Sequence, residues 1–193
     1  AEAPNRFHNF HLKIDELLFD FSKQKVDSDI INELLTLATE LKLEECIQKL
    51  FAGEKINVTE SRAAWHTALR DIDTPLPEVS AQWYKMESIV NQIHNHQFRG
   101  YSGKPISDII NIGVGGSDLG PLMITHALDK DKHPHAPEVH FVSTLDARQL
   151  QKLLAELDPA TTLFIIASKS FTTIDTLSLA ETSREWLQQY APS

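Results

Sequence analysis

Three short, strongly apolar runs, each followed by a segment of helical periodicity, constrain the fold of this 193-residue chain more than any other feature. The apolar runs cover residues 108–114, 139–143 and 161–167, and the helical segments cover 119–128, 147–157 and 173–189. Strands separated by helices pair in parallel, because a parallel pair needs a long crossover connection. We therefore predict an α/β fold in which a parallel sheet carries helices on both faces.

The preceding part, residues 1–104, mixes apolar patches with helical periodicity and is expected to be mainly helical. The patterns predict a strand at 17–21 and helices over about 28–41, 44–52, 63–69 and 83–93. Asp27 has the side chain of an N-cap, and Gly53 is the residue type that best ends a helix. A joint bearing Gly and Pro at 100–105 separates the two parts, so we predict domains at 1–104 and 105–193.

Charge and cysteine content narrow the class of protein. The formal net charge is −9, and the absence of a basic run argues against nucleic acid or an anionic membrane as a partner. The sequence contains neither a long apolar span nor a signal-peptide pattern. Cys46 is the single cysteine and cannot form an internal disulfide, so a cytoplasmic location is expected.

The loop after the first apolar run has a composition suited to anions. Residues 113–121 read Gly-Val-Gly-Gly-Ser-Asp-Leu-Gly-Pro. Neighbouring glycines leave backbone N–H groups open to a ligand, and a helix that begins near Ser117 adds unpaired N–H groups and a partial positive charge. A plain turn, with Ser117 or Asp118 as the N-cap, explains the same residues, so this loop alone leaves both interpretations open.

The loop after the third apolar run is richer in donors. Residues 168–173 read Ser-Lys-Ser-Phe-Thr-Thr, in which every side chain except the phenylalanine donates hydrogen bonds. A helix needs a single capping residue, so this composition exceeds what a cap and turn require. The carboxyl ends of parallel strands meet at one edge of a sheet, so the two loops together predict a phosphate site there.

The residues favour a phosphate monoester over a nucleotide. A dinucleotide fingerprint has Gly-x-Gly-x-x-Gly, but Asp118 occupies the last glycine position here. The acidic residue that would hold a ribose, Asp146, comes later than the fingerprint expects. No P-loop pattern occurs either.

The motifs resemble those of the glucose-6-phosphate isomerase family. Residues 111–121 are similar to its first signature, with Val114 where the family usually has Ile, and residues 168–173 resemble its Ser-Lys-Thr-Phe-Thr-Thr loop. Further similar segments are Phe-Ala-Gly-Glu-Lys-Ile-Asn at 51–57, Arg62, His-Thr-Ala-Leu-Arg at 66–70 and Gly-Lys-Pro-Ile at 103–106. The resemblance runs in order from about Phe10 to Trp186.

The resemblance implies a sugar isomerase (SIS) fold whose sheet is incomplete, with three strands where the family has five. It implies a site for a hexose phosphate lined by Gly116, Ser117, Ser168, Lys169, Ser170 and Thr173. The implied reaction interconverts glucose 6-phosphate and fructose 6-phosphate through an enediol, in a homodimer, without a metal or organic cofactor. Ser170 replaces the usual Thr, and Ile174 and Asp175 replace common Gln and Glu residues. The resemblance therefore does not specify the exact hydrogen bonds around the site.

The family's catalytic groups do not match any residue of this chain. Its proton-transferring Glu lies in a Gly-Glu-Ser-Asn-like motif, which is missing here, as are the His, Lys and Arg of its active site. The chain is therefore expected to be an N-terminal piece, truncated or cleaved, that is inactive alone and has no catalytic residue. The alternative is a non-catalytic SIS-type module that binds sugar phosphates.

The histidines do not replace this chemistry. His66 lies in an apolar helical pattern and is interpreted as a packed residue. His94 and His96, and likewise His133 and His135, are spaced two apart, a spacing that can hold a metal. No Cys or carboxylate set nearby completes a site, so no metal site is expected.

Overall fold

The computed structural model describes residues 5–144 and 146–191. The chain divides into two compact units, residues 1–79 and residues 80–193. This division does not test the domain boundary predicted between residues 104 and 105, which stays a prediction.

The first unit combines a small hairpin with helices. Its elements are α1 (Arg6–Asn9), β1 (His11–Ile14), β2 (Leu17–Asp20), α2 (Ser28–Glu40) and α3 (Leu43–Phe51). The strands β1 and β2 are antiparallel, with His11 opposite Asp20. The Asp27 carboxylate accepts a hydrogen bond from the Ile30 N–H at 2.9 Å and so caps α2. Gly53, with φ of 71°, follows the end of α3 in the left-handed conformation. The predictions for this strand and these two helices are confirmed.

The predicted helix over 63–69 is wrong. Only a short 3₁₀ helix forms there, Ala68–Arg70, and it follows a turn. Its bonds are of the i to i+3 kind, from the Ala68 N–H to the Trp65 carbonyl and from the Arg70 N–H to the Thr67 carbonyl. A segment of about two turns gains few intrahelical hydrogen bonds to offset the cost of nucleation, so a helical pattern of this length does not by itself secure an α-helix.

The second unit contains the sheet, and its elements confirm the alternation predicted from the apolar runs. They are β3 (Asp108–Gly113), α5 (Gly116–Ala127), β4 (Glu138–Val142), α6 (Ala147–Glu156), β5 (Thr162–Ala167) and α7 (Ile174–Gln188). Most of α4 (Pro77–His94) precedes them in the same unit. This helix contains the predicted helix over 83–93 and begins earlier, at Pro77, because proline is favoured at the first helical position.

The three strands are parallel in the order β4-β3-β5. The first of these strands in the chain, β3, therefore lies between the second, β4, and the third, β5. The connection after β4 passes over β3, so the chain changes direction across the sheet between β3 and β5. In open parallel sheets, ligands bind outside the carboxyl ends of the strands at such a topological switch point.

Helices pack against both faces of the sheet, as predicted. Ile110 and Ile112, both fully buried, pack with Leu150 of α6 and Leu179 of α7. Ile109 points to the opposite face, where it packs with Ile93 of α4. Alternate residues of one strand thus anchor different helix layers, and the central strand is buried from Ile109 to Gly113. No helix in the described part of the chain combines the length and apolar content needed to cross a membrane.

Candidate functional site

The register of β3 and β5 brings the two polar loops together. Gly113, the last residue of β3, lies directly opposite Ala167, the last residue of β5. Neighbouring strands are about 4.8 Å apart, so the two loops start side by side at the switch point. This register confirms the expectation that both loops leave the same edge of the sheet.

The first loop enters α5 without a side-chain cap. Gly115 is the N-cap, with φ of 61° and ψ of −121°, a backbone conformation that essentially only glycine adopts. Ser117 and Asp118 are the second and third helical residues, so the interpretation of either one as the N-cap is wrong. The N–H of Gly116, at the first helical position, has no acceptor within its own helix.

Burial distinguishes the side chains of this first turn. Ser117 is half-buried, and its hydroxyl lies at the helix N-terminus, where anions are favoured. Asp118 is only 4% exposed, and its Oδ1 atom accepts no hydrogen bond from the described residues. The carboxylate therefore lies within the fold, not on the open side of the loop.

The second loop is organised by its own hydroxyls. The Phe171 N–H donates to the Ser168 hydroxyl oxygen at 3.0 Å, and the hydroxyls of Ser170 and Thr172 are 2.7 Å apart. Thr173 is the N-cap of α7, but among the described residues its side chain makes no capping bond. The Ser168 hydroxyl is used as an acceptor and keeps its own proton to donate. Capping therefore does not explain these side chains.

Two features of this second loop are not evident from sequence. Phe171 has φ of 53° and an exposed ring, although left-handed backbone is costly for a residue with a Cβ. Thr172 pairs with Ser170 and so belongs to the hydroxyl network of the loop. Neither role leaves a local signal, because each depends on how the loop turns.

Lys169 is exposed and contributes the loop's positive charge.

The structure also brings the two histidine pairs together, which the sequence did not predict. The rings of His94 and His133 stack with centroids 4.1 Å apart, and those of His96 and His135 stack at 5.0 Å. Within residues 5–144 and 146–191, no three His, Cys, Asp or Glu side chains converge so as to hold a metal ion.

Comparison with known proteins identifies the family. The sequence profile described as phosphoglucose isomerase matches residues 20–193. The chain is 50% identical to a glucose-6-phosphate isomerase of Acinetobacter baumannii (strain AB0057), covering 98% of this chain and 35% of that protein. It is 51% identical to the enzyme of the same name from Acinetobacter venetianus, covering 98% of this chain and 36% of that protein. The chain therefore spans about a third of the length of these relatives.

A solved structure agrees in fold. The crystal structure of a glucose-6-phosphate isomerase from Chlamydia trachomatis D/UW-3/Cx matches with a TM-score of 0.64 and 24% identity, covering 99% of this chain and 38% of that one. The fold is thus the SIS type expected from the motifs, present in part. The match of the family profile to residues 20–193 shows that the chain belongs to the phosphoglucose isomerase family.

Proposed function

We propose that this chain supplies the phosphate-binding part of an isomerase that interconverts glucose 6-phosphate and fructose 6-phosphate. The observation that carries the proposal is the register of Gly113 with Ala167, which starts two loops rich in hydrogen-bond donors side by side at the switch point of the sheet. Membership of the phosphoglucose isomerase family supplies the substrate class.

The first loop binds the phosphate through backbone and hydroxyl groups. The Gly116 N–H and the Ser117 hydroxyl lie at the first turn of α5, where the helix dipole favours an anion. This local arrangement has to offset the unfavourable field of a chain with a net charge of −9.

The second loop completes the site. Ser168, Ser170 and Thr173 provide hydroxyl donors, and Lys169 provides a positive charge. The internal bonds of the loop, from the Phe171 N–H to the Ser168 hydroxyl oxygen and between the Ser170 and Thr172 hydroxyls, reduce the number of arrangements it can adopt. A loop ordered before binding loses less entropy when the phosphate enters.

Binding at the phosphate serves the chemistry at the other end of the substrate. Interactions with a non-reacting group hold the sugar in place and lower the entropic cost of bringing the reacting carbons to the catalytic groups. Opening of the sugar ring and proton transfer between C1 and C2 are assigned to groups outside this chain. The proposal includes a homodimeric parent protein in the cytoplasm and requires neither a metal nor an organic cofactor.

The test compares hydroxyl removal in the site with hydroxyl removal elsewhere. In the full-length protein, Ser168→Ala and Thr173→Ala should each weaken binding of inorganic phosphate and of glucose 6-phosphate by about 10-fold or more, since hydrogen bonds to charged groups contribute about 1.5–3 kcal/mol. Thr182→Ala in α7 is the control, because it removes a hydroxyl outside the proposed site. The Thr182 hydroxyl donates to the Ser178 carbonyl of the same helix at 3.0 Å. Titration calorimetry measures the affinities, and unchanged affinity in both site variants would overturn the assignment.

Turnover by the full-length protein, measured beside turnover by the 193-residue chain alone, distinguishes the isomerase from a non-catalytic sugar-phosphate module. We expect the chain alone to show no isomerase turnover, whereas the full-length protein converts glucose 6-phosphate. Turnover by the isolated chain would place catalytic groups within it. A full-length protein that binds the sugar phosphate without converting it would instead favour the module.

A further inference from the structure

Asn111 is a polar residue in the middle of an apolar strand. It is 6% exposed and lies between Ile110 and Ile112, both of which are fully buried. Burial of an amide is costly unless its hydrogen bonds are formed inside the protein. The buried amide of Asn111 therefore needs a hydrogen-bond partner inside the protein.

The partner is the backbone of the first helical turn after the strand. The Asn111 Nδ2 atom donates to the carbonyl oxygen of Ser117 at 3.1 Å. In an uninterrupted α-helix this carbonyl would accept from the N–H four residues later, at position 121. That residue is Pro121, which lies inside α5 and has no N–H. Asn111 thus replaces the hydrogen bond that the proline removes.

A second contact reaches Ser117 from the same face of β3. Asn111 and Gly113 are two apart on β3 and so point to one side of the sheet. A Cβ atom on Gly113 would lie 2.6 Å from the Ser117 carbonyl oxygen, so the backbone there is already in close contact. One hydrogen bond and one close approach together hold Ser117 against the end of β3.

We infer that Asn111 is a positioning residue for phosphate binding, which acts by fixing Ser117. This inference rests on the proposed function, in which the Ser117 hydroxyl contacts the phosphate. Asn111 does not contact the ligand itself. Its amide holds the Ser117 carbonyl and thereby sets the orientation from which the Ser117 side chain projects.

The experiment is a double-mutant cycle on Asn111 and Pro121 in the full-length protein. Asn111→Ala should raise the Kd for inorganic phosphate and the KM for glucose 6-phosphate about three- to ten-fold, with kcat changed less than two-fold. Pro121→Ala restores a backbone N–H opposite the Ser117 carbonyl. In the Asn111→Ala background it should bring Kd and KM back to within about two-fold of the unmodified protein, whereas alone it should change them little.

A purely structural role would give a different pattern. A lowered thermal midpoint of Asn111→Ala with an unchanged Kd for phosphate would overturn the inference. If Asn111→Ala does not fold, the Asn111→Ala/Pro121→Ala variant decides: near-normal phosphate affinity supports positioning, and weak affinity or failure to fold overturns it.

Ser117→Ala separates this inference from the proposed function. Unchanged phosphate affinity in Ser117→Ala would show that the proposed site is wrong. Weakened affinity in Ser117→Ala, combined with unchanged affinity in Asn111→Ala, would leave the site in place and remove only the role of Asn111.

Discussion

Gly113 and Ser117 approach so closely that a Cβ atom on the glycine would lie 2.6 Å from the serine carbonyl oxygen and 2.9 Å from its Cβ. The atoms in the way belong to the backbone and to the base of a short side chain, so they cannot turn aside. The end of β3 and the first turn of α5 are therefore in direct contact. This contact joins the sheet to the proposed phosphate site.

Gly113→Ala tests this contact. We expect the substitution to lower the free energy of unfolding by about 1–3 kcal/mol, because the methyl group forces the first turn of α5 away from the strand. Phosphate affinity should fall as well, since Ser117 moves with the turn. Urea denaturation and titration calorimetry measure the two effects.

Gly120→Ala is the matched control in the same helix. Apart from the two adjacent residues and the backbone of its own helix, no atom of the described residues lies within 4 Å of a Cβ placed on Gly120. The same chemical change should therefore raise the free energy of unfolding by about 0.5–1 kcal/mol, as expected for glycine inside a helix. Equal stability of the Gly113→Ala and Gly120→Ala variants would contradict the close approach.

Phe171 allows a test of the conformation of the second loop. Its φ of 53° is unfavourable for any residue with a Cβ but not for glycine. Phe171→Gly and Phe171→Ala both remove the exposed ring, so their difference reports on the backbone. We expect Phe171→Gly to be more stable than Phe171→Ala by about 1 kcal/mol in urea denaturation. An alanine variant of equal or greater stability would show that φ at this position is negative.

The histidine cluster predicts a dependence of stability on pH. Burial, followed by the positive charges of His133 and His135, holds the pKa of His94 below its ordinary value. Between the lowered pKa and the ordinary value near 6.5, the unfolded chain binds the proton more readily than the folded chain. The contribution of His94 to stability is therefore complete above about pH 6.5 and is lost as the pH falls below it.

Thermal midpoints at pH 7.5 and at pH 5.5 measure this effect. The decrease between the two pH values should be smaller in His94→Gln than in the unmodified protein. His126→Gln is the control, because this exposed histidine of α5 lies outside the stacked set. An equal decrease in all three proteins would show that His94 does not contribute.

Local patterns predicted most elements because their causes are local. The side chain of Asp27 caps α2, Gly53 follows the end of α3, and the apolar runs became β3, β4 and β5. The prediction for the segment 63–69 failed because a helical pattern over about two turns is too short to secure an α-helix by itself. The location of the two polar loops was equally predictable, since each follows directly from the end of a strand.

The sequence by itself determined an α/β sheet, two donor-rich loops and a family, because apolar periodicity, glycine clusters and hydroxyl content can be recognised over a few residues. Tertiary structure alone decided that the first strand lies between the other two, that Gly113 is opposite Ala167, and that Asn111 bonds to Ser117. It also stacked His94 on His133, 39 positions apart in the chain (133 − 94). All of these relationships except the bond from Asn111 to Ser117 join segments distant in sequence. The free energy of all of them comes from packing and hydrogen bonds that exist only when the sheet and its helices have assembled.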